Sequence, residues 1–196
     1  MGEVWAAQHM SLDIPCAVKF IHAESAEKED VRARFEREAK AAAQLRSPNV
    51  VQILDYGVFE GTPYIAMEYL EGEPLNVRIK RHGRLNPRET LRIVAGVAKA
   101  LTKAHTAGIV HRDLKPENIF VTDEGYRLHD AYRLNGIQRL TWNPDNPWTK
   151  DAYQAPEQYG GDPTAATDTY AFALVIGEAL AGKPVKDGVA LSAQSN

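Results

Sequence analysis

The sequence has little cysteine, no long apolar run and no excess of one charge. A single thiol, Cys16 among 196 residues, excludes an intramolecular disulfide and a cysteine-rich zinc site, and it is typical of a reducing compartment. The amino terminus, MGEVWAAQH, shows neither a charged leader nor an apolar stretch, so we predict no secretory signal, no membrane span and a cytoplasmic chain. The net charge of −3 argues against nucleic acid or an anionic membrane as the main partner.

The sequence contains enough hydrophobic residues to form a core. Hydrophobic residues make up 44% of the chain and charged residues 25%, which is the composition of a globular protein with one or two domains. The first seventy residues predict a small sheet with one helix. Two strands are expected between Val4 and Ile21, a helix from Ser25 to Arg46, and two further strands around the turn at residues 60–63.

Two charged residues fall inside these apolar patterns. Alternation places Lys19 in the middle of an apolar strand, and helical spacing places Glu38 between Phe35 and Ala42 on the inward stripe of the helix. A carboxylate that faces a core needs a cationic partner, so we predict that Glu38 pairs with Lys19. The alternative for Lys19 is an edge residue whose amine reaches solvent.

Beyond residue 72 the pattern turns helical. A helix is expected between the cap Asn86 and Gly108, with an apolar stripe that carries a histidine expected to be a hydrogen-bonded packing residue. That stripe consists of Leu91, Val94, Ala98, Leu101 and His105. A tight hairpin should follow at residues 119–130, then a long loop that contains Trp142 and Trp148 and is functional or disordered. The last helix, Asp168 to Gly182, is apolar nearly all round and is expected to be buried on every side.

The residues with catalytic chemistry are concentrated in HRDLKPEN, residues 111–118. Asp113, Lys115 and Asn118 lie there, and Asp130 follows after the hairpin. Carboxylate and amide oxygens with a lysine suit Mg²⁺ and phosphate and are poor ligands for a soft metal. A hydrolase metal site built from two His-Asp pairs, at residues 111 and 113 and at residues 129 and 130, is the disfavoured alternative because no further histidine falls at ligand spacing.

In this order, the motifs resemble those of the eukaryotic-like protein kinase family, especially its bacterial Ser/Thr members. Residues 16–19 resemble the strand that carries the phosphate-binding lysine, residues 67–70 the adenine-binding hinge, and residues 155–157 the A-P-E element. The resemblance implies an α+β, bilobal protein kinase-like fold. Residues 1–70 would form an antiparallel-sheet N-lobe with one main helix, residues 71–182 a mostly helical C-lobe, and residues 183–196 a polar tail.

The resemblance also implies a site that takes ATP and Mg²⁺ and acts on a protein substrate, or binds a regulatory protein. The implied catalytic residues are Asp113, Lys115 and Asn118, and the implied metal ligands are Asn118 and Asp130. The implied ATP-binding residues are Val4, Ala17, Lys19, Glu38, Met67, Glu68, Leu70 and Phe120. The implied structural residues are His111, Arg112, Glu157 and Asp168, and Thr141 and Thr149 are candidate phosphorylation sites that Arg112 would bind.

Four features depart from the family pattern. Gly2 is the only glycine of the phosphate loop, the D-F-G element reads DAY at residues 130–132, Lys150 replaces a threonine, and the helices that carry an arginine partner for Glu157 are missing. We interpret the chain as a kinase domain truncated at both ends or as a degenerate gene product. The two expected functions are a Ser/Thr kinase and a pseudokinase that acts as a nucleotide-binding or scaffolding module. A small-molecule phosphotransferase is disfavoured by the A-P-E element.

Overall fold

A computed structural model gives the architecture. It describes residues 4–20, 36, 39–122, 125–128, 152–159 and 162–185, and for residues 125–128 and 159 the backbone alone. These residues form a four-stranded sheet, a three-stranded sheet and three long helices. In the part described, no helix is long and apolar enough to cross a membrane.

The four-stranded sheet is antiparallel and has the order β1-β2-β4-β3. Its strands are β1 (Val4–His9), β2 (Ile14–Phe20), β3 (Ile53–Phe59) and β4 (Thr62–Glu68). All four were predicted, since β-branched and aromatic residues alternate between turn signals. Of the predicted helix at residues 25–46, residue 36 and residues 39–46 are described. Residues 36 and 39–43 are helical, but Gln44 to Arg46 are not, so the helix ends three residues before the predicted end. Buried Ala42 contacts Ile53 and Ile65, so this helix packs on the sheet.

The second sheet has the order β5-β6-β7 and is also antiparallel. β6 (Ile119–Thr122) and β7 (Gly125–Leu128) form the predicted hairpin, and β5 (Glu73–Pro74) adds a short strand that the sequence analysis did not predict. Helix α1 (Leu75–His82) begins directly after β5. A 3₁₀ turn, Pro116–Asn118, leads into β6, so the end of the HRDLKPEN loop is held between α1 and this sheet.

Helix α2 (Pro87–Thr106) starts where the cap predicted it, because the Asn86 side chain accepts a hydrogen bond from the Glu89 amide at 2.9 Å. Its predicted inward stripe was wrong at two positions: Leu91 is 67% exposed, and Ala98 is exposed as well. The buried face consists of Thr90, Ile93, Gly96, Val97, Ala100, Leu101 and Ala104. The two stripes differ by one position, or about 100° of helix rotation. Small residues mark the true inward face, and they give a weak apolar signal in the sequence.

Helix α3 (Ala165–Ala181) begins three residues before the predicted start because Thr164 and Thr167 form a capping box. The expectation of burial on every side was wrong: Tyr170, Ala173 and Leu180 are exposed, since no described element covers that flank. The opposite flank carries Ala171, Phe172 and Val175 into the main core, where they pack with residues of α1, α2 and β6. Val185, in the predicted polar tail, is also buried.

The carboxyl ends of α1 and α3 meet backbone to backbone. Gly182 ends α3 with φ of 75°, and a Cβ added there would lie 1.7 Å from the carbonyl oxygen of Gly83, which ends α1. Position 182 therefore excludes any side chain, both for its left-handed conformation and for lack of space.

We expect Gly182→Ala to lower the free energy of unfolding by at least about 2 kcal/mol, because it adds a clash to the cost of positive φ. The matched control is Gly108→Ala. Gly108 has φ of 74° but open space around its Cβ position, so its substitution should cost only about 1 kcal/mol. Urea unfolding of both variants measures the difference, and equal losses would show that the contact between the helix ends is unimportant.

A buried carboxyl lies within α3. Glu178 is 8% exposed and accepts a hydrogen bond from the hydroxyl of Tyr153. Burial raises the pKa of Glu178, the hydrogen bond from Tyr153 opposes that shift, and the charge of Glu117 adds to it. The folded state therefore binds a proton at Glu178 more tightly than the unfolded state does, and stability is lost as pH rises from the ordinary carboxyl pKa through the raised one.

We expect Glu178→Gln to raise the melting temperature at pH 7 to 8, because glutamine keeps an acceptor for Tyr153 and carries no charge. The gain should vanish below the ordinary carboxyl pKa, where the wild-type side chain is protonated in both states. Melting curves between pH 4 and pH 8 test this. The control is Glu157→Gln, which should not stabilise the protein, because the hydroxyl of Thr167 lowers the pKa of Glu157. A pH-independent gain at position 178 would contradict the assignment.

Candidate active site

The buried carboxylate of Asp168 holds the HRDLKPEN loop in place. Its two oxygens accept the backbone N–H groups of His111 and Arg112, each at 2.8 Å, and Nε2 of His105 lies 2.7 Å from Oδ2. Asp168 is completely buried, in the first turn of α3. A buried carboxylate is stable only with such donors, so α3, α2 and the loop are joined at this point. His105 is thus the hydrogen-bonded packing residue that the sequence predicted.

The loop reverses direction at Arg112. This residue has φ of 68°, a left-handed conformation that is costly for a side chain other than glycine. Hydrogen bonds to both of its backbone polar groups stabilise the conformation: Asp168 accepts its N–H, and the side-chain amide of Gln158 donates to its carbonyl at 2.8 Å. Its Nε is buried and makes no hydrogen bond with any residue the structure describes.

The three predicted catalytic side chains meet at the end of this loop. Nδ2 of Asn118 donates to the carbonyl oxygen of Asp113 at 2.7 Å and to its Oδ2 at 3.0 Å, and Nζ of Lys115 lies 3.4 Å from the same Oδ2. All three residues are less than 9% exposed. The backbone N–H of Asp113 also donates to Nδ1 of buried His111 at 3.3 Å, which ties the chain at Asp113 to the core. The orientation of the Asp113 carboxylate is therefore fixed before any ligand binds.

The register of the four-stranded sheet gathers the predicted ATP-binding residues of the small lobe on one face. Val4 lies opposite Lys19 in the β1-β2 pair, and Ala17 lies opposite Met67 in the β2-β4 pair. Directly opposed residues project from the same face of a sheet, and so do residues two apart in a strand. Val4, Ala17, Lys19 and Met67 therefore share one face. Val4 is 60% exposed there, so this part of the face is accessible.

Three further residues predicted to bind ATP lie at the end of β4 or beyond it in the chain. Glu68 ends β4, and its Oε1 accepts the backbone N–H of Gln52 at 2.8 Å, so its side chain ties the end of β4 to the residue before β3. Leu70 follows and is half-buried. Phe120 is half-buried in β6, opposite Pro74 of β5.

Glu157, in the 3₁₀ turn Pro156–Tyr159, binds the hydroxyl of Thr167 at 2.7 Å through Oε1. Glu157 was predicted to lack an arginine partner, and a hydroxyl from the first turn of α3 contacts it here. The A-P-E element is thus attached to the helix that anchors the catalytic loop.

Several predicted residues lie outside the described part of the chain. They are Glu38, Thr141, Thr149, Lys150 and the DAY element at residues 130–132, which includes Asp130. The pairing of Lys19 with Glu38 and the second metal ligand therefore stay predictions, as do the roles of Trp142 and Trp148.

Two residues that hold the site were missed from the sequence. Gln158 bridges the A-P-E turn and the loop, since its Oε1 accepts the Ala155 amide at 3.0 Å while its Nε2 binds the Arg112 carbonyl. Thr167 closes both the capping box and the contact with Glu157. Thr167 had a local signal, because Thr164 and Thr167 have capping-box spacing. Gln158 had none, because its partner lies 46 residues away.

A family model for the protein kinase domain matches residues 1–194. The chain belongs to the protein kinase family. Curated relatives include the serine/threonine-protein kinase PknD of Mycobacterium tuberculosis (strain ATCC 25618 / H37Rv), 38% identical over 191 residues, and PrkC of Bacillus subtilis (strain 168), 36% identical over 191 residues. These matches cover 94% and 96% of this chain but 28% and 30% of the relatives, so the chain spans less than a third of their length.

The fold of this kinase-family chain is similar to a solved one. The crystal structure of the Mycobacterium tuberculosis PknI kinase domain matches with a TM-score of 0.79 and 34% identity, over 95% of this chain and 70% of that one. The predicted α+β bilobal kinase fold is therefore confirmed.

We expect Asp168→Asn to lower the free energy of unfolding by about 2 to 4 kcal/mol, because an amide cannot accept both backbone N–H groups and its NH₂ group opposes one of them. The control is Asp162→Asn, at an exposed aspartate, which should change stability by less than about 0.5 kcal/mol. Denaturant unfolding of the two variants measures both effects. Equal stabilities would show that the loop is held in another way.

Proposed function

We propose that this chain is the catalytic domain of a protein serine/threonine kinase, which transfers the γ-phosphoryl group of ATP to a hydroxyl group of a protein substrate. The observation that carries the proposal is the buried arrangement of Asp113, Lys115 and Asn118 in a single loop anchored by Asp168. Such an arrangement is ready for phosphoryl transfer, which depends on positioning and on charge stabilisation.

Asp113 would accept the proton of the substrate hydroxyl. Its Oδ2 is held by Asn118 and approached by Lys115, so the carboxylate keeps one orientation. A base must be within hydrogen-bond distance of the proton it removes, and a fixed carboxylate meets that requirement without rearrangement. Lys115 carries the cation that would stabilise the γ-phosphate, and its position is the one typical of Ser/Thr rather than Tyr kinases.

Lys19 would bind the α and β phosphates from the opposite lobe, with Glu38 as its partner. Its place on the same sheet face as Val4, Ala17 and Met67 supports this role, because an adenine ring needs an apolar surface beside the phosphate-binding amine. The end of β4 at Glu68 and the start of β5 at Glu73 support a lobe boundary near residue 70.

Mg²⁺ fits the donor set of the loop. The amide nitrogen of Asn118 is bound to Asp113, which leaves its carbonyl oxygen as the atom to face a cation, and oxygen donors are those that Mg²⁺ prefers. We assign Asn118 and Asp130 as its ligands. The ion would neutralise charge on the phosphates. Among the described residues, no cluster of His, Cys, Asp and Glu forms a separate metal site.

Arg112 would bind a phosphate placed on the segment that contains Thr141 and Thr149. Its buried Nε lacks a partner in the described residues, and a phosphate oxygen would satisfy it. Dependence on ATP and the single cysteine favour the cytoplasm as the place of action.

We expect Asp113→Asn to reduce phosphoryl transfer by at least about 100-fold, because asparagine cannot accept the hydroxyl proton. Transfer is measured from labelled ATP to a generic basic protein and to the chain itself. The control is Asp162→Asn, which should retain full activity. Equal activity of the two variants would contradict the assignment of the base.

We expect Lys19→Ala to weaken ATP binding by about tenfold or more, since one charge-assisted contact with phosphate is lost. Affinity is measured by titration calorimetry with and without Mg²⁺, and Lys183→Ala, at an exposed lysine, is the control. Binding of ATP without transfer to any acceptor would favour a nucleotide-binding scaffold instead. Unchanged affinity in Lys19→Ala would contradict the proposed phosphate site.

A further inference from the structure

The positive charge of this chain is concentrated in one segment. Residues 78–103 contain eight of the 23 Lys and Arg side chains and one of the 26 Asp and Glu side chains, so the remainder of the chain is strongly acidic. The segment comprises most of α1 and α2, which are adjacent in sequence and share the main core. We call the exposed cations of these two helices and of the turn between them the basic face. They are Lys80, Arg81, Arg84, Arg88, Arg92, Lys99 and Lys103, and the exposed side chain of Leu91 lies among them.

A cleft of about 250 Å³ lies within the basic face, lined by Arg78, Asn86, Arg88, Glu89 and Arg92. Its one acidic residue is neutralised, because Nε of Arg78 donates to Glu89 while Nη1 of Arg78 binds Glu73 at 3.1 Å. These contacts, Glu89 first, raise the pKa of Arg78, so it stays cationic. The same network fixes the walls of the cleft, since it joins β5, α1 and α2.

Three exposed arginines in or near the cleft have no acidic partner within the described part of the chain. Arg84, Arg88 and Arg92 are exposed and make no ion pair or hydrogen bond with any residue in the described ranges. Arg88 and Arg92 are one turn apart on α2, and Leu91 lies beside them on the helix surface with 67% of its surface exposed. Each guanidinium group can bind a carboxylate of a partner through two hydrogen bonds, while the exposed leucine beside them packs on an apolar side chain of the same partner.

We propose that the basic face is a docking site for an acidic segment of a protein partner. Arg81 is paired with Glu73, whereas the other six cations of the basic face make no ion pair with any described residue. Charge complementarity argues for an acidic partner, because these six cations repel one another until an anion binds. Arg88 and Lys103 are about 22 Å apart along α2, a length that roughly seven residues of extended peptide span.

The alternatives fit less well. A helix that binds a membrane surface buries a continuous apolar face, whereas Val77 and Leu91 are the only large apolar side chains exposed on α1 and α2. Single-stranded nucleic acid is held by aromatic stacking, and residues 78–103 contain no Phe, Tyr or Trp.

The test uses the whole chain and a fluorescein-labelled twelve-residue peptide of glutamate, aspartate and leucine. Binding is followed by fluorescence anisotropy at low and high salt. We expect the double variant Arg88→Gln, Arg92→Gln to bind about tenfold more weakly, and wild-type binding to fall with salt as charge screening increases. The matched control removes two exposed cations elsewhere, Arg46→Gln with Lys183→Gln, and should bind like wild type.

A second probe and a second surface define the outcomes that overturn the proposal. The same peptide with glutamine and asparagine in place of its acids should not bind, and vesicles with phosphatidylglycerol should not bind in preference to the acidic peptide. Equal weakening in both double variants, binding of the neutral peptide, a preference for vesicles, or no binding by wild type would each overturn it. Because binding is measured without phosphoryl transfer, this result is independent of the proposed kinase activity. Melting curves confirm that each variant is folded.

Discussion

The structure depends on the buried carboxylate of Asp168, in the first turn of α3, which accepts two consecutive backbone N–H groups of the catalytic loop. A negative charge in a core is unfavourable unless donors surround it, so helix and loop each require the other. This contact holds the loop against α3, and it stabilises the left-handed backbone conformation of Arg112. Asp113, Lys115 and Asn118 then converge because they come next in the chain.

The two lobes contribute by different physical means. In the four-stranded sheet, strand register alone places Val4, Ala17, Lys19 and Met67 on one face. A shift of one strand by a single residue would move its side chains to the opposite face. The lower lobe uses polar contacts between distant segments, such as those of Gln158 and Thr167.

Local signals predicted most of the fold. The sequence predicted the strands of the four-stranded sheet, the helix cap at Asn86 and the helix end at Gly182, because each of these features depends on a few neighbouring residues. The inward face of α2 was misjudged because glycine and alanine, which allow close packing, carry little apolar weight, while Leu91 looked like a core residue. Within the site, the motif identified the catalytic residues. It did not identify the hydrogen bond from Gln158 to the Arg112 carbonyl, because no residue near Gln158 in the sequence indicates a partner 46 residues away.

The left-handed backbone at Arg112 has a consequence for which sequences this loop accepts. Branching at Cβ crowds the carbonyl group when φ is positive, so valine, isoleucine and threonine are disfavoured at position 112 regardless of their size or polarity. Glycine and asparagine would suit the backbone but would carry no cation. Arginine combines a tolerated, unbranched Cβ with a guanidinium group, and so a single residue serves both the bend of the chain and its charge.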